Sequence, residues 1–303
     1  MRLITVLLFI DFLLSFSHFS IADDEVNNKH DNDEIRVVMA AAFVSEHGIN
    51  VYDDIFNYVG KKLGRKVSFV SGFSYATINS MLEAGMVDIG FVCGLPYVLK
   101  HDQPKSSIDL LLAPIMNDSK YKDKPIYYSY IIVHKNSKFN NFTELRNSTF
   151  VFNDEISNSG YNMPRDHLIS IGETSGFFKN TLRSGSHEES IRMIALGEAD
   201  VSAVDSLVYD YDRAKNAEFI NNTKIIETLG PAGIPPVVVS SKLSLPIRNK
   251  IRDIMLDMNN DLEGKRVLDM TLVNRFTIVD DSDYDGIRQM NKQAHDSGYL
   301  VIR

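Results

Sequence analysis

Two stretches of the chain follow one pattern and decide the fold. The first reads INSMLEAGMVDIGFV over residues 78–92, and the second reads SIRMIALGEADVSAV over residues 190–204. In both, a helical pattern ends at a glycine, and a small apolar residue, an aspartate and an apolar strand follow. The glycines align, and so do Asp88 and Asp200. Unless two ordinary units agree by chance, the chain contains two similar α/β halves.

The correspondence continues on both sides of these stretches. It pairs Ser74 with Ser186, Tyr75 with His187, Gly85 with Gly197, and Cys93 with Asp205. The two serines precede the predicted helices, where a hydroxyl can cap free backbone N–H groups. Ligands of open α/β sheets bind beyond the carboxyl ends of the strands, where helix amino ends also gather. We therefore expect both helices to point their amino ends into one cleft between two lobes.

The rest of the chain also reads as strands and helices. Residues 35–43 form a short apolar run typical of a buried strand, Asn50 can cap a helix that Gly64 ends, and residues 66–71 form the next strand. Strand, helix and strand at this spacing make a parallel βαβ unit. Further strands are predicted at 108–115, 128–133 and 149–152, and helices at 160–171, 174–182, 206–216, 245–258 and 284–296.

Composition excludes several classes of protein. With 44% hydrophobic and 24% charged residues over 303 positions, the chain is neither disordered, collagen-like nor a polytopic membrane protein. The 32 Lys+Arg and 40 Asp+Glu give a net charge of -8, whereas nucleic-acid binders carry a basic face. The lone cysteine excludes disulfides within the chain and Cys-rich metal sites, and the histidines are scattered singly. We expect no nucleic-acid partner, no metal and no cofactor.

The amino terminus has the pattern of an export signal. Residues 1–22 contain a basic residue, an apolar run and a small-residue cleavage site, as in a signal peptide. A membrane anchor is the alternative, but Asp11 interrupts the run and the run is short for a bilayer. The acidic, polar segment 23–34 is predicted to be a disordered leader. The mature chain is therefore expected to be periplasmic or secreted after signal-peptide cleavage.

Three predicted helix amino ends carry hydroxyl groups. They lie at Ser74-Tyr75-Ala76-Thr77, at Ser157-Asn158-Ser159-Gly160-Tyr161, and at Ser184-Gly185-Ser186-His187-Glu188-Glu189. A helix amino end offers free N–H groups and partial positive charge, which together suit an anion. Each serine alone is more simply explained as a helix cap, although a hydroxyl can cap and also bind a ligand. Gathered in one cleft, the three ends favour an anion site.

His187 and Asp205 each have two interpretations. A single histidine at a helix start is often a solvated surface residue, but His187 follows the cap and could donate to a phosphoryl oxygen in the cleft. Asp205 ends a predicted strand, where it either caps the helix 206–216 or faces the cleft. A carboxylate in the cleft would repel an anionic group and would suit an ammonium or hydroxyl elsewhere on the ligand.

Several motifs together carry a family resemblance. In chain order they are DIGFVCGLPY at 88–97, SNSGY at 157–161 with Pro164, SGSHEES at 184–190, GEAD at 197–200 with VDS at 204–206, and GPAGIPP at 230–236. Over about residues 35–290, the chain resembles the PhnD-like solute-binding proteins of phosphonate, phosphite and phosphate ABC importers.

The resemblance implies an α/β fold of the two-lobed, type II periplasmic-binding kind. Mostly parallel sheets flanked by helices would form each lobe, with the ligand cleft between the lobes. Lobe 1 would contain residues 35–127 plus 235–303, and lobe 2 would contain residues 128–234. The chain would cross between lobes near 125–130 and 230–236, and the lobes would close on the ligand by a hinge.

The resemblance also implies a set of ligand-binding residues. By motif position it suggests Tyr75, Ser157, Asn158, Ser159, His187 and Tyr97, and the helix-end argument adds Ser74, Ala76 and Asp205. Family members that take aminoalkylphosphonates have an aromatic cleft strand, whereas this chain has Phe91-Val92-Cys93 there. Glu188 or Asp205 could read an amine on the ligand, and this choice stays open.

The function implied is capture of a small tetrahedral oxyanion and its delivery to an ABC transporter permease. We expect a monomer and no enzymatic activity, because Ser186 and His187 are adjacent on one helix start and cannot readily form a nucleophile–base pair. A sensor or orphan binder of the same fold is an alternative. A ferric-ion binder is a weaker one, suggested by Tyr127, Tyr128 and Tyr130.

Overall fold

The computed structural model describes residues 34–40 and 46–303. The predicted signal peptide, 1–22, and the leader up to residue 33 lie outside the described residues. Glu34, the last residue of the predicted leader, is the first residue of a strand. Over the described part of the chain, no helix has the length and apolar character needed to cross a membrane.

Strands and helices alternate along most of the chain. The strands are β1 (Glu34–Ala40), β2 (Lys66–Phe73), β3 (Ile89–Phe91), β4 (Ile108–Met116), β5 (Ile126–His134), β6 (Thr149–Phe152), β7 (Asn180–Arg183), β8 (Val201–Asp205), β9 (Thr223–Gly233), β10 (Val237–Ser240) and β11 (Val273–Thr277). The helices are α1 (Glu46–Leu63), α2 (Tyr75–Ala84), α3 (Gly94–His101), α4 (Met163–Ser170), α5 (His187–Leu196), α6 (Ser206–Ala214), α7 (Leu245–Leu256), α8 (Leu262–Met270) and α9 (Asp285–Asp296).

The strands form two sheets among the described residues. The first has the order β11-β4-β10-β3-β1-β2, and the second has the order β7-β6-β8-β5-β9. In the first sheet β1 is parallel to β2 and β3, while β10 is antiparallel to β3 and β4. In the second sheet β6 is parallel to β7 and β8, while β5 is antiparallel to β8 and β9. This is the α/β architecture that the sequence predicts, but the expectation of mostly parallel sheets is wrong, because β10 and β5 enter antiparallel to both of their neighbours.

The two sheets share one topology. The run β2-β1-β3-β10-β4 in the first matches β7-β6-β8-β5-β9 in the second. The chain enters the second sheet at β5 and returns to the first at β10, so each sheet receives its antiparallel strand directly after a crossing. The internal repeat predicted from the sequence is therefore confirmed as a repeat of sheet topology.

The repeated helices begin and end in the same way. Ser74 caps α2 by accepting from Thr77 N at 3.3 Å, and Ser186 caps α5 by accepting from Glu189 N at 3.0 Å. Each helix ends at a glycine in the left-handed region, Gly85 with φ 68° and its counterpart Gly197 with φ 74°. Only glycine adopts this backbone conformation without strain, which explains why the glycines align in the sequence.

The aligned aspartates fasten each repeat to the neighbouring strand. Asp88 accepts a hydrogen bond from the Arg36 backbone N–H at 2.8 Å, and its own N–H donates to the Arg36 carbonyl. Asp200 does the same with Thr149, whose N–H lies 2.7 Å from the carboxylate. In each sheet the carboxylate thus accepts from a strand N–H group that lies just before the parallel pairing with β3 or β8 begins.

The helix predicted at 174–182 is wrong. Its last residues form β7, which pairs in parallel with β6. Gly172 and Gly176 have φ of 76° and 67°, values that end a helix rather than continue one. Phe177 and Phe178 are buried in an aromatic cluster, so their apolar spacing reflects core packing and not a helical stripe.

Two other predicted helices differ at their starts. The helix expected to be capped by Asn50 begins at Glu46 and still ends at Leu63, before Gly64. The helix expected at 160–171 consists of a π-helical segment, Asn158–Asn162, which continues into α4. The remaining predicted helices, at 206–216, 245–258 and 284–296, are present within two residues at each end.

Candidate functional site

Buried polar side chains from both sheets meet at the amino ends of the repeated helices. Asn153 Nδ2 donates to the Tyr75 hydroxyl at 3.2 Å, and Ser159 Oγ lies 3.4 Å from His187 Nε2. The backbone N–H of Asp205 approaches His187 Nδ1 at 3.4 Å. These contacts link the start of α2, the segment after β6, the start of α5 and the end of β8. The geometry brings six of the nine predicted site residues together: Tyr75, Ser157, Asn158, Ser159, His187 and Asp205.

The segment after β6 forms the floor of this cluster. Ser157 caps the π-helical segment by accepting from Gly160 N at 3.0 Å, and the residues from 157 to 162 are all buried. π-Helical turns occur frequently at functional sites. A Cβ on Gly160 would lie 1.9 Å from Asn153 Oδ1 and 3.1 Å from His187 Cε1. Only glycine therefore lets these two side chains approach the backbone.

His187 is a buried, neutral imidazole. It is 1% exposed, so the interpretation as a solvated surface residue is wrong. Burial lowers the pKa of His187 from 6.5 to about 3. Because Nδ1 faces the Asp205 N–H, it must accept, and the ring proton resides on Nε2. Nε2 points to Ser159 Oγ and is the atom that can donate to a ligand.

Asp205 is a helix cap and also a member of the buried cluster. Its Oδ1 accepts from Leu207 N at 2.8 Å and caps α6, yet the side chain is buried beside His187. Burial raises the pKa of Asp205 from 3.8 to about 8. At neutral pH the carboxyl group in this state is mostly protonated, so it carries a donor proton and no charge that would repel an anion.

Two tyrosine hydroxyls complete the cluster. Tyr75 begins α2, and its hydroxyl is also hydrogen-bonded to Ser157. Tyr127 lies in β5, and its hydroxyl accepts from Asn158 Nδ2 at 2.9 Å. Burial raises the pKa of both phenols well above 10, so both keep their protons as hydrogen-bond donors.

Cys93 occupies the position in the first half that Asp205 occupies in the second. Each residue is the N-cap of the helix that follows the third strand of the repeat. Cys93 Sγ accepts from the Asn158 backbone N–H at 3.3 Å, and burial raises the pKa of the thiol to about 11. The side chain is therefore a neutral thiol that connects the first sheet to the floor of the site.

Three predicted residues lie elsewhere or face solvent. Tyr97 does not join the cluster: its hydroxyl donates to Asp281 at 2.7 Å, and its ring packs against Tyr284. Ser74 is exposed and serves as the cap of α2, and Ala76, the second residue of that helix, is also exposed. Glu188, the other residue considered for an amine, is half-buried in the first turn of α5.

Sequence reasoning missed several residues of the cluster. Asn153 follows β6, and its Oδ1 is buried without a hydrogen-bond partner. Tyr127, which the sequence suggests only for iron binding, is a second such residue. The available signal was position, because Tyr127 is the second residue of β5, the strand that follows the first crossing.

The tyrosines considered for ferric ion do not converge. Tyr127 accepts from Asn158, the Tyr128 hydroxyl donates to the Lys120 carbonyl at 3.1 Å, and the Tyr130 hydroxyl lies 3.4 Å from Asp210. Three different partners hold the three phenols. Within residues 34–40 and 46–303, no group of three or more His, Cys, Asp or Glu side chains is placed to hold a metal ion.

Two solved structures of binding proteins have this fold. A binding-protein component of an ABC phosphonate transporter from Pseudomonas aeruginosa has a TM-score of 0.77, 22% identity and coverage of 88% of both chains. PhnD1 from Prochlorococcus marinus (MIT 9301), solved in complex with methylphosphonate, has a TM-score of 0.74 and 20% identity, and the match covers 87% of this chain and 98% of that one.

Sequence comparison also finds binding proteins for phosphorus oxyanions. The probable ABC transporter phosphite-binding protein PhnD1 of P. marinus is 22% identical over 275 residues, which cover 85% of this chain and 90% of the relative. The phosphonates-binding periplasmic protein of Escherichia coli (strain K12) is 26% identical over 235 residues, 76% of this chain and 68% of the relative.

A family model extends across most of the chain. The model described as "ABC transporter, phosphonate, periplasmic substrate-binding protein" matches residues 37–284. These residues contain both halves of the topological repeat and all of the buried polar cluster. The chain belongs to the family of periplasmic substrate-binding proteins of phosphonate ABC transporters.

Proposed function

We propose that the buried cluster binds a small tetrahedral phosphorus oxyanion: a phosphonate, phosphite or phosphate. The observation that carries this is the convergence of hydrogen-bond donors from two equivalent helix ends. Tyr75 and His187 occupy the same position of the repeat, and both lie buried against the segment that contains Ser157 and Ser159. Two findings on related proteins from P. marinus support this ligand class: one relative is a probable phosphite-binding protein, and one structure is a complex with methylphosphonate.

The donors of the cluster are neutral groups. The phenols, the serine hydroxyls, the His187 Nε2–H and the protonated Asp205 each offer a proton without adding charge. Hydrogen bonds from such donors to an ionised oxyanion are charge-assisted and strong in a dry site. Donors that arrive from several directions fit a tetrahedral ligand and leave a planar carboxylate with unpaired partners.

The protonation state of Asp205 determines whether the site suits a ligand with an amine or one without. As an acid it would donate to an oxyanion oxygen; as a carboxylate it would pair with an ammonium group. Its raised pKa, about 8, favours the first role for a ligand without an amine. An Asp205→Asn variant should therefore keep its affinity for methylphosphonate, and a large loss confined to aminoethylphosphonate would assign the second role.

We propose that the two sheets are the cores of two lobes that close by a hinge. The sequence predicts one lobe of residues 35–127 with 235–303 and another of residues 128–234. We place the first boundary earlier, between β4 and β5, because Ile126 and Tyr127 already pair with β9. Tyr75–Asn153 and Cys93–Asn158 would be the contacts that form on closure. A ligand that bridges the same groups would shift the equilibrium towards the closed form.

We further propose that the exported, monomeric chain delivers its ligand to an ABC transporter permease and catalyses no reaction. Ser186 supports this, because its Oγ accepts from Glu189 N and caps α5. His187 Nε2 faces Ser159, but an imidazole with a pKa of about 3 is a weak base, and the Asp205 carboxyl that is also hydrogen-bonded to Ser159 is mostly protonated at neutral pH. A nucleophile activated at neutral pH needs a better base than this.

A thermal-shift screen tests the ligand class. Phosphate, phosphite, methylphosphonate and aminoethylphosphonate would be compared with sulfate and taurine at equal concentration. Binding to the folded state alone raises the melting temperature, so at least one phosphorus oxyanion should raise it above the sulfate value. Equal or absent shifts for all six compounds would contradict the proposed function.

A further inference from the structure

Arg165 is a buried cation without an ion-pair partner among the described residues. It is the third residue of α4, and its side chain is 6% exposed. Its Nη2 donates to Asn162 Oδ1 at 2.8 Å and to Asn291 Oδ1 at 3.1 Å, and its Nη1 donates to the Leu300 carbonyl at 3.1 Å. Every acceptor is a neutral oxygen, and the guanidinium also lies over the Tyr161 ring, 5.7 Å from the ring centroid.

The guanidinium remains charged despite this environment. Burial lowers the pKa of Arg165, but an arginine keeps its proton throughout the physiological range. Asp166, the next residue, favours the charged form without forming an ion pair, and burial raises the pKa of Asp166 itself. The Arg165 Nε is also buried without a hydrogen-bond partner. A buried charge without an anionic partner is costly even when neutral oxygens and a ring surround it, so its presence calls for an anion that compensates it.

A chain of hydrogen bonds leads from Arg165 to the candidate site. Because a guanidinium can only donate, Asn162 must present its oxygen to Arg165 and its Nδ2 to the other side. Asn162 Nδ2 donates to Asn158 Oδ1 at 3.0 Å, and Asn158 Nδ2 donates to the Tyr127 hydroxyl at 2.9 Å. All of these donors point the same way, from the guanidinium to the cluster.

The chain ends on a proton inside the site. Since Asn158 occupies a lone pair of the Tyr127 oxygen, the phenol is left to donate its own proton, and its hydroxyl is hydrogen-bonded to Ser159. Aligned hydrogen bonds polarise one another in a buried environment, and each makes the next donor stronger. Tyr127 is therefore the group of the cluster to which this chain of hydrogen bonds connects the distant positive charge.

We propose that Arg165 is the fixed counter-charge of the bound oxyanion and acts as a positioning residue through Asn162, Asn158 and Tyr127. This inference rests on the proposed function and adds the source of positive charge that the neutral donors of the cluster lack. It also assigns a role to the end of the chain, because Asn291 in α9 and the carbonyl of Leu300 hold the guanidinium in place.

The test is calorimetric titration of the full mature chain with methylphosphonate, or with phosphite if that binds more tightly. Arg165→Gln should weaken binding about tenfold, the equivalent of 1.4 kcal/mol. Arg165→Lys, which keeps the charge but loses the planar fork, should stay within about threefold of wild type. Arg146→Gln is the matched control: this arginine also lies over a ring, Phe177 at 5.2 Å, but has a carboxylate partner in Glu173.

A double-mutant cycle tests the path. Asn162→Ala interrupts the chain, so adding Arg165→Gln to that variant should cost little further affinity. The inference is overturned if Arg165→Gln binds like wild type, if Arg165→Lys falls as far as Arg165→Gln, or if the full loss persists beside Ala at 162. If Arg165→Gln does not fold, the Lys and Asn162 variants decide the question. Wild type that binds no phosphorus oxyanion overturns the proposed function and this inference together.

Discussion

The Sγ atom of Cys93 accepts a hydrogen bond from the backbone N–H of Asn158 at 3.3 Å, and this contact connects the end of β3 in the first sheet to the floor of the site. The donor is one of the backbone N–H groups at the start of the π-helical segment that have no acceptor within the helix. An oxyanion could take the same N–H group. The thiol therefore lies where it can report on both closure and ligand binding.

The first prediction concerns the reactivity of that thiol. Because Cys93 is buried and has a pKa raised to about 11, a disulfide reagent at pH 8 should label it much more slowly than it labels the unfolded chain. Methylphosphonate should slow labelling further by favouring the closed form. Labelling as fast in the native protein as in denaturant would show that the thiol is not enclosed.

The second prediction concerns His187. Removing the imidazole by His187→Ala deletes a donor to an ionised ligand and should weaken oxyanion binding by about 1–3 kcal/mol. His295→Ala, at an exposed histidine of α9, is the control and should bind normally. Isothermal titration measures both, and an unchanged dissociation constant for His187→Ala would remove this residue from the site.

The third prediction is the pH dependence of stability that Asp205 causes. Its folded-state pKa of about 8 exceeds the unfolded value of 3.8, so between these values the folded state binds more protons than the unfolded state. Stability must then fall as the pH rises from about 4 to 8 and level off above that range. In Asp205→Asn this component should vanish, as denaturant unfolding in ligand-free, phosphate-free buffer would show.

The fourth prediction is that His187 makes folding stability change with pH in the opposite direction. Its folded-state pKa of about 3 lies below the unfolded value of 6.5, so the unfolded state binds more protons between these values. This component of stability is complete above pH 6.5 and is lost as the pH falls towards 3. The slopes of His187 and Asp205 offset each other between about pH 4 and 6.5, and only that of Asp205 remains above. Denaturant unfolding of the His187→Ala and Asp205→Asn single variants at pH 5 and at pH 7.5 separates the two contributions to stability.

The fifth prediction uses two glycines. Gly160→Ala places a Cβ 1.9 Å from Asn153 Oδ1, so it should cost about 1–3 kcal/mol of unfolding free energy and abolish oxyanion binding. Gly286→Ala, in α9 with nothing within 4 Å of the added Cβ, should change stability by less than about 1 kcal/mol and leave binding intact. Equal behaviour of the two variants would contradict the packing described around Gly160.

The parts of the fold that depend on local chemistry could be predicted from the sequence. Ser74 with Gly85, and Ser186 with Gly197, mark helix starts and ends through caps and a left-handed backbone, and these signals lie within a dozen residues. The segment 174–182 could not be predicted in the same way. Its apolar spacing is equally that of a helix face and of an aromatic pair buried by distant residues.

The candidate site divides along the same line. His187 and Ser157 are marked by helix-start motifs, whereas Asn153 carries no such mark and meets its partner Tyr75 only because the chain folds back 78 residues. Tyr97 shows the converse, since its motif position suggests the cleft but tertiary contacts direct its hydroxyl to Asp281. Arg165 looks like an ordinary helix residue until its neighbours from the end of the chain are known.

The exchange of one antiparallel strand between the sheets sets an order for maturation. Strands β5 to β9 lie in one continuous stretch, so the second sheet can assemble as soon as residue 233 is available. The first sheet cannot, because β10 fits between β3 and β4 and is made after them. A nascent or translocating chain that lacks its last quarter therefore has β3 with one open edge and β4 without either neighbour, because β11 is also still missing. Any factor that guards such a chain would have to cover those edges until the carboxyl-terminal residues arrive.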